Sequence, residues 1–258
     1  MTERRMSTLN IQMISRPRRP ARSLPTCPPT QPRESPPLNP GDRLSRAEFE
    51  RRYQAHPEIK KAELIEGVVY MPSPARFQQH SHPHAFIVTW LGVYQAATPG
   101  VTVGDNATVR LDYDNEPQPD ALLRIESRSG GRSRITNDDY VEGPPELIVE
   151  IAASSVAYDL HDKLYVYQRN GVREYLVLQM YEQRADWHVL SEGVYEPLKA
   201  DENGVLRSGV FPGLALQPAA IWSGDIATLL AVLQEGLTSS EHTAFIERLQ
   251  SGLASTGA

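Results

Sequence analysis

This chain of 258 residues contains one cysteine, Cys27, and no long apolar run. A single thiol excludes an intrachain disulfide framework and a cysteine-based zinc site, and it suits a reducing compartment. No apolar stretch approaches the roughly 18 residues that a membrane span needs, and the first residues lack the apolar core of a secretory signal. We therefore expect a cytoplasmic protein with no membrane partner, although the arginine-rich start leaves a transit peptide open.

The sequence also lacks the motifs of several large enzyme classes. It has no phosphate-binding P-loop, no Gly-x-Ser-x-Gly nucleophile turn and no dinucleotide fingerprint. Ser154 and Ser155 follow an apolar run and offer a hydroxyl nucleophile, but they are also typical of a helix cap. The motifs that remain are carboxylates and one lysine.

Lysine is absent from residues 1–43, which hold eight arginines and three acidic residues, a charge of +5. Nine of the 21 prolines lie within residues 1–40, without apolar periodicity. Such a segment cannot bury enough apolar surface to fold, so the sequence predicts a disordered tail over 1–43. A solvated tail and a basic arm that contacts nucleic acid both remain open.

Residues 44–258 are left with 18 basic and 29 acidic side chains, a formal charge of −11. A surface that acidic does not hold nucleic acid by charge alone. The charge balance therefore argues against a nuclease, unless a divalent metal or a local basic rim offsets it.

Helix and strand patterns alternate from Ser45-Arg46-Ala47-Glu48, a capping-box pattern, onward. The patterns predict hairpins at 62–71 and 173–190, helices at 46–53, 84–97 and 156–169, strands at 101–104, 107–112, 119–125 and 146–152, and a mobile loop at 126–142. Two further helices, at 224–236 and 240–252, are expected to be peripheral. This order predicts an α/β (α+β) domain over 44–222, with a mixed sheet flanked by helices, and a helical extension over 223–258.

Glu150 lies in the middle of the run Glu146-Leu147-Ile148-Val149-Glu150-Ile151-Ala152, which Gly143-Pro144-Pro145 precedes. The run is typical of a buried strand. A buried carboxylate without a partner costs several kcal/mol, so it becomes neutral, pairs with a cation or binds a metal. Glu150 is therefore the first candidate for a functional residue.

Asp120 and Lys163 are the partners that Glu150 could have. Asp120 follows Pro119 at the start of another apolar run, although Pro-Asp is also a common turn dipeptide. At 100° per residue, Lys163 falls at the edge of an apolar helical stripe formed by Val156, Leu160, Leu164 and Tyr167. The alternative is a surface pair between Asp159 and Lys163, worth about 0.3–0.5 kcal/mol.

Other residues could join this group. Glu63 precedes Leu64-Ile65 and could point inward, or stand as an edge-strand charge. The run His80-Ser81-His82-Pro83-His84 invites a zinc site, but Pro83 favours a helix start, where the three side chains diverge. A single inward-facing histidine near the acidic residues, His80, is the stronger expectation.

At these residues the chain resembles the Uma-type putative restriction endonuclease family, within the PD-(D/E)XK nuclease superfamily. The similar segments are Glu63-Leu64-Ile65-Glu66-Gly67, Pro119-Asp120, Pro145-Glu146-Leu147-Ile148-Val149-Glu150, Lys163-Leu164-Tyr165-Val166-Tyr167 and Gly171-Val172-Arg173-Glu174-Tyr175. The resemblance covers residues 44–222. It implies a restriction-endonuclease-like sheet flanked by helices, with Asp120 and Glu150 holding a divalent metal.

The chain departs from the superfamily pattern at one position. The lysine expected two residues after Glu150 is replaced by Ala152. In the Uma-type family the lysine comes from the following helix, which here matches Lys163. The helical wheel places this same lysine at the edge of the apolar stripe.

The sequence therefore predicts a metal-dependent DNA endonuclease. Asp120 and Glu150, with the carbonyl of Ile151, would ligate Mg²⁺ or Mn²⁺; Lys163 would act on the attacking water or the phosphate; and Glu63 would position Lys163 or a second metal. Candidate phosphate contacts in the loop are Arg128, Arg132 and Arg134. The alternative is a catalytically inactive interaction module that keeps the nuclease fold, and a homodimer remains open in either case.

Overall fold

The computed structural model describes residues 35–72, 74–153 and 155–255, with the side chains of 253–255 left out. Most of the predicted disordered tail, residues 1–34 with Cys27, lies outside the described residues. The part of that tail that is described packs onto the domain: Leu38 is buried, and the Gly41 amide donates to the Val69 carbonyl at 2.8 Å. The domain thus begins before the expected boundary at residue 44.

The described residues form one six-stranded sheet and several small ones. The strands are β1 (Glu63–Ile65), β2 (Val68–Tyr70), β3 (Val101–Asp105), β4 (Val109–Arg110), β5 (Ala121–Ile125), β6 (Arg134–Ile135), β7 (Val141–Glu142), β8 (Leu147–Ala152), β9 (Glu174–Gln179), β10 (Arg184–Ser191), β11 (Val194–Pro197), β12 (Leu206–Arg207) and β13 (Ala215–Leu216). The large sheet has the order β11-β10-β9-β8-β5-β3. Its β8–β9 pair is parallel and its other neighbours are antiparallel, so the sheet is mixed, as predicted.

Helices lie on both sides of this sheet. They are α1 (Arg46–Ala55), α2 (His82–Ala97), α3 (Val156–Tyr158), α4 (Leu164–Asn170), α5 (Pro218–Ser223), α6 (Ile226–Leu237) and α7 (Ser240–Ser255). π-Helical turns at Phe77–Ser81 and Asp159–Lys163 lead into α2 and α4. The segment from α3 to α4 connects β8 with β9. These two strands are parallel neighbours, and parallel neighbours require a crossover connection.

Strand β8 contributes to two hydrophobic cores because its side chains alternate between the faces of the sheet. Leu147, Val149 and Ile151 join the larger core, where residues of α2, α6 and α7 pack. Ile148 and Ala152 face the smaller core, with residues of α4. Glu150 has the parity of the second set, so its carboxylate lies on the α4 side of the sheet.

Three expectations about individual elements were wrong. The two C-terminal helices are not peripheral, because Leu229 and Leu233 of α6 and Phe245 of α7 are buried in the larger core. Ser45 begins α1 without a side-chain capping bond, and its predicted partner Glu48 pairs with two arginines of the same helix. The segment 126–142 contains a 3₁₀ turn and the strands β6 and β7, so it is not an irregular loop.

Candidate active site

The register of β5 against β8 places two carboxylates side by side. Ala121 pairs with Val149 in an antiparallel ladder, and one further step sets Asp120 opposite Glu150. Residues directly opposite in such a ladder share a face, with Cβ atoms about 4.5–5.5 Å apart. Both side chains are buried, with 4% and 3% of their residues' surface exposed.

Lys163 lies in the π-helical turn and points into the same region. Its Nζ is 2.9 Å from Oε1 of Glu150 and 2.9 Å from Oε1 of Glu63. It also lies 3.8 Å from Oδ1 of Asp159. Because Lys163 is only 3% exposed, the surface pair with Asp159 that the sequence left open is not what forms. The structure brings Glu63, Glu150 and Lys163 together as a buried ion cluster.

Asp120 sits at the edge of this cluster with contacts of its own. Its carboxylate accepts a hydrogen bond from the Ile151 amide at 2.8 Å and lies 3.2 Å from Nε2 of His80 and 3.4 Å from Nζ of Lys61. Burial alone would raise its pKa, but the His80 hydrogen bond and the charge of Lys61 hold that pKa well below its usual range. Asp120 is therefore an anion, and His80 is the inward-facing histidine expected from the sequence.

The pKa of Glu150 shifts in the opposite direction. Burial raises the pKa of Glu150 to about 8, and the charges of Asp120, Asp159 and Glu63 add to the rise while Lys163 opposes it. For Lys163, burial favours the neutral amine, but the attraction of Glu150 and Glu63 holds its pKa well above the usual value. The lysine is a stable cation in a pocket that contains more acidic than basic groups.

Backbone and hydroxyl donors also bond to the carboxylates around Lys163, in two cases to the same oxygen that contacts the ammonium. Oε1 of Glu63 accepts from the Gln118 amide at 2.7 Å, and Oε1 of Glu150 accepts from the Tyr167 hydroxyl at 3.1 Å. The Ser155 hydroxyl donates to Asp159 at 2.5 Å. These bonds hold the carboxylates close together despite their mutual repulsion.

Two other buried carboxylates, Glu146 just before β8 and Glu174 at the start of β9, serve the fold. Glu146 accepts hydrogen bonds from the amides of Ile125 and Arg132, and Glu174 accepts from the Ser208 hydroxyl and the amides of Gly209 and Val210. Both carboxylates are satisfied by donors from loops and strand ends. Burial alone thus does not distinguish the candidate site, whereas the contacts of Glu63 and Glu150 with a buried lysine do.

The donor set fits a hard divalent cation. Mg²⁺ prefers oxygen ligands and is bound by one or two carboxylates, which Asp120 and Glu150 supply, with the Ile151 carbonyl adjacent in sequence. The excess of buried negative charge around Lys163 favours a cation as well. Within the described residues, no three of His, Cys, Asp or Glu are grouped to hold a metal. A site there would thus rest on two carboxylates and backbone oxygen.

The histidine-rich segment does not form a metal cage in the described structure. His80 contacts the Asp120 side chain, whereas Nε2 of His84 lies 2.8 Å from the Asp120 carbonyl oxygen and 3.0 Å from Asp105. The ring of His82 packs against Phe77. The expected divergence holds only for His82, because the rings of His80 and His84 are 5.8 Å apart and both contact Asp120.

The three loop arginines are engaged elsewhere. Arg128 pairs with Glu126 at 2.5 Å, Arg134 pairs with Glu142, and Nη1 of Arg132 donates to the Gly171 carbonyl at 2.7 Å. No contact between these arginines and the ion cluster is found in the described part of the chain. The geometry therefore gives no support to their assignment as phosphate contacts at this site.

Sequence reasoning missed several residues of the cluster. Asp159 was considered only as a surface partner, and neither Tyr167 nor Lys61 was singled out. Helical spacing gave no clear signal for Asp159 and Tyr167, because the π-helical turn Asp159–Lys163 separates them. Lys61 and Asp120 are 59 positions apart, and no short motif connects them.

The chain is similar to proteins described as nucleases. A family model described as "Putative restriction endonuclease" (Uma2) matches residues 46–219. A solved structure described as a putative nuclease belonging to DUF820 from Anabaena variabilis is 15% identical, covers 63% of this chain and 89% of that chain, and has a TM-score of 0.48. No curated protein matches the chain.

A membrane-spanning helix is not found in the part of the chain that the structure describes. The family match takes in Glu63, Asp120, Glu150 and Lys163, and it extends over well more than half of the sequence. This chain therefore belongs to the Uma2 family of putative restriction endonucleases.

Proposed function

We propose that this protein is a metal-dependent endonuclease that hydrolyses phosphodiester bonds of DNA. The observation that supports this most is the buried lysine of the β8–β9 crossover, held between Glu150 and Glu63 beside Asp120. Two carboxylates and a lysine are the groups that metal-assisted phosphodiester hydrolysis needs. Membership of a nuclease family points to the same chemistry.

Asp120, Glu150 and the Ile151 carbonyl would hold Mg²⁺ or Mn²⁺. The bound ion supplies Lewis-acid polarisation of the phosphate and a lowered pKa for a coordinated water. Glu150 has to be ionised to act as a ligand, and its raised pKa therefore predicts weaker metal binding as the pH falls below about 8. Asp120 is ionised throughout that range because its pKa is low.

Lys163 stays protonated and would orient the attacking water or stabilise the charge that develops on phosphorus-bound oxygens. Glu63 contacts the ammonium at 2.9 Å and is itself fixed by the backbone amide of Gln118. We assign Glu63 a positioning role, because its anchored oxygen limits the places that Nζ can occupy.

The test is a metal-by-substrate cleavage screen of the purified protein with Mg²⁺ and Mn²⁺ on plasmid, linear and single-stranded DNA. We expect Glu150→Gln to abolish cleavage and to reduce the metal-induced rise in melting temperature, because hard cations select charged oxygen. Glu146→Gln is the matched control: it changes a buried carboxylate of the same region that only bonds backbone amides. It should destabilise the fold and leave cleavage per folded molecule intact.

A second function, a catalytically inactive interaction module, is favoured by the charge of −11 on residues 44–258. It predicts no cleavage by the wild type and no metal-induced shift in melting temperature. Wild-type protein that is inert on every substrate would establish this alternative. Cleavage that survives in Glu150→Gln would place the active site elsewhere.

We also propose that the protein is cytoplasmic. Sedimentation of the purified chain would decide between a monomer and a homodimer.

A further inference from the structure

The hydroxyl of Tyr158 is buried and has no hydrogen-bond partner among the described residues. Buried polar groups are nearly always paired, and an unpaired one destabilises the fold. Tyr158 immediately precedes the π-helical turn that carries Lys163. The residue that carries the unpaired hydroxyl therefore borders the candidate active site.

The aromatic ring of Tyr158 is fixed on the ion cluster. Nζ of Lys163 lies 5.3 Å from its ring centroid, and the Tyr70 ring packs against it at a centroid distance of 4.2 Å. Burial and the charges of Glu63 and Glu150 raise the pKa of Tyr158 well above its ordinary value. The phenol is thus a neutral, immobilised hydrogen-bond donor at every working pH.

Lys163 has one N–H donor left for a ligand. An ammonium has three N–H donors, and Glu150 and Glu63 accept two of them at 2.9 Å, while Asp159 lies farther away at 3.8 Å. The Tyr167 hydroxyl is already used on Glu150. An anionic ligand entering the cluster would need a donor that is not yet engaged, and the Tyr158 hydroxyl supplies one.

We propose that the Tyr158 hydroxyl binds a non-bridging oxygen of the phosphodiester substrate. This inference rests on the proposed function and adds a substrate-contacting residue to it. A substrate phosphate oxygen would accept a charge-assisted hydrogen bond from the unpaired hydroxyl. The unpaired hydroxyl destabilises the free protein, and its pairing in the complex would add to the affinity for the substrate. The aromatic stack with Tyr70 keeps the hydroxyl in place before the substrate arrives.

The experiment is Tyr158→Phe, which removes the hydroxyl and keeps the ring. We expect its melting temperature in the metal-free protein to equal or exceed that of the wild type, since no hydrogen bond is lost. We expect kcat/KM for DNA cleavage to fall about 10- to 100-fold, the effect of one hydrogen bond to a charged group. Binding of a labelled oligonucleotide duplex in Ca²⁺, followed by anisotropy, should weaken in the same direction.

Two matched variants serve as controls. Tyr70→Phe removes a hydroxyl from the stacked partner, which bonds Asp162 at 3.4 Å, and should change cleavage little. Tyr167→Phe removes a hydroxyl that has a protein partner, and should lower the melting temperature.

The outcomes separate this inference from the proposed function. An active wild type with an equally active Tyr158→Phe variant overturns the inference alone. A melting temperature that falls as far as that of Tyr167→Phe also overturns it, because the hydroxyl would then have a partner within the protein. A wild type that neither binds nor cleaves DNA with any metal overturns the proposed function, and this inference with it.

Discussion

Lys163 is a cation that the protein surrounds with acids, and only 3% of its surface is exposed. Removing one partner of a buried ion pair leaves the other charges unpaired and costs about 3–5 kcal/mol. We therefore expect Lys163→Met to lower the free energy of unfolding by that amount in urea denaturation at neutral pH.

Lys61→Met is the control for this prediction. Its ammonium is 25% exposed and lies 3.4 Å from Asp120, so its loss should cost less than about 1 kcal/mol. Equal unfolding curves for wild type and Lys163→Met would mean that the carboxylates around Lys163 are protonated in the folded protein and need no cation.

Glu116 and Glu50 form a second buried acidic contact, away from the ion cluster. Burial and the neighbouring Glu50 carboxylate raise the pKa of Glu116 from 4.5 to about 8, against the attraction of Arg110. The folded protein thus holds this proton more tightly than the unfolded chain does. The resulting stabilisation is fully present below pH 4.5 and is lost as the pH rises through 8.

Glu116→Gln imitates the protonated acid, so it should raise the melting temperature at pH 8.5 and change it little at pH 5. Thermal unfolding at both pH values measures this difference. Glu192→Gln, at an exposed turn, should show no such pH dependence. A variant that is less stable than the wild type at pH 8.5 would show that the Glu116 charge is needed by Arg110.

At the scale of elements, the π-helical turn Asp159–Lys163 decides where the lysine points. A π-turn contains one extra residue, so deleting His161, which is exposed, should restore a regular α-helix. The deletion would shorten the spacing from Asp159 to Lys163 from four residues to three, so Nζ of Lys163 would no longer be placed between Glu150 and Glu63. We expect the deletion variant to keep its helical circular dichroism and to lose DNA cleavage, while His161→Ala keeps both.

This turn also explains what the sequence could and could not predict. Strand β8 and the burial of Glu150 could be predicted, because a short apolar run rich in Leu, Ile and Val is typical of a buried strand. The place of Lys163 at the edge of the apolar stripe came from a wheel at 100° per residue, which assumes α-helical spacing throughout. The π-turn breaks that assumption, so sequence indicated the residue but not its complete burial.

The contacts of Asp120 with Glu150 and Lys61 could not be predicted from the sequence, because they join distant segments of the chain. The register that sets Asp120 opposite Glu150 depends on how β5 docks on β8, and the Lys61 contact depends on a loop that is packed by other elements. The apolar residues of α6 predicted a helix, but a single stripe does not reveal which surface it covers. The expectation of peripheral helices failed at that step.

At the scale of the whole molecule, the domain extends beyond the matched family region, which ends at residue 219. Leu229, Leu233, Phe245 and Leu249 are buried by α6 and α7 against the larger core. Burying four such side chains contributes about 6–12 kcal/mol, which is comparable to the entire stability of a typical domain. A chain ending at Gly224 should therefore fail to unfold cooperatively in calorimetry, whereas removal of residues 253–258 should leave the transition intact.

The amino-terminal boundary can be tested in the same way. Leu38 is 4% exposed and packs with Phe49 and Leu64, and its burial contributes about 1.5–3 kcal/mol. A chain beginning at Gly41 should thus melt several degrees below one beginning at Ser35. Equal melting temperatures would show that the contacts of Ser35–Pro40 contribute nothing to stability.

The parallel pairing of β8 with β9 has a consequence for the order in which the site is completed. Glu150, Asp159 and Lys163 belong to one contiguous crossover unit, while Glu63 and Asp120 come from earlier in the chain. The chain is synthesised from the amino terminus, so Glu63 and Asp120 are made before Glu150, and Lys163 is made last. The side chains come together only when the elements that carry them have packed into the two cores. Under the proposed chemistry, a nascent chain that ends before Lys163 therefore has no complete site.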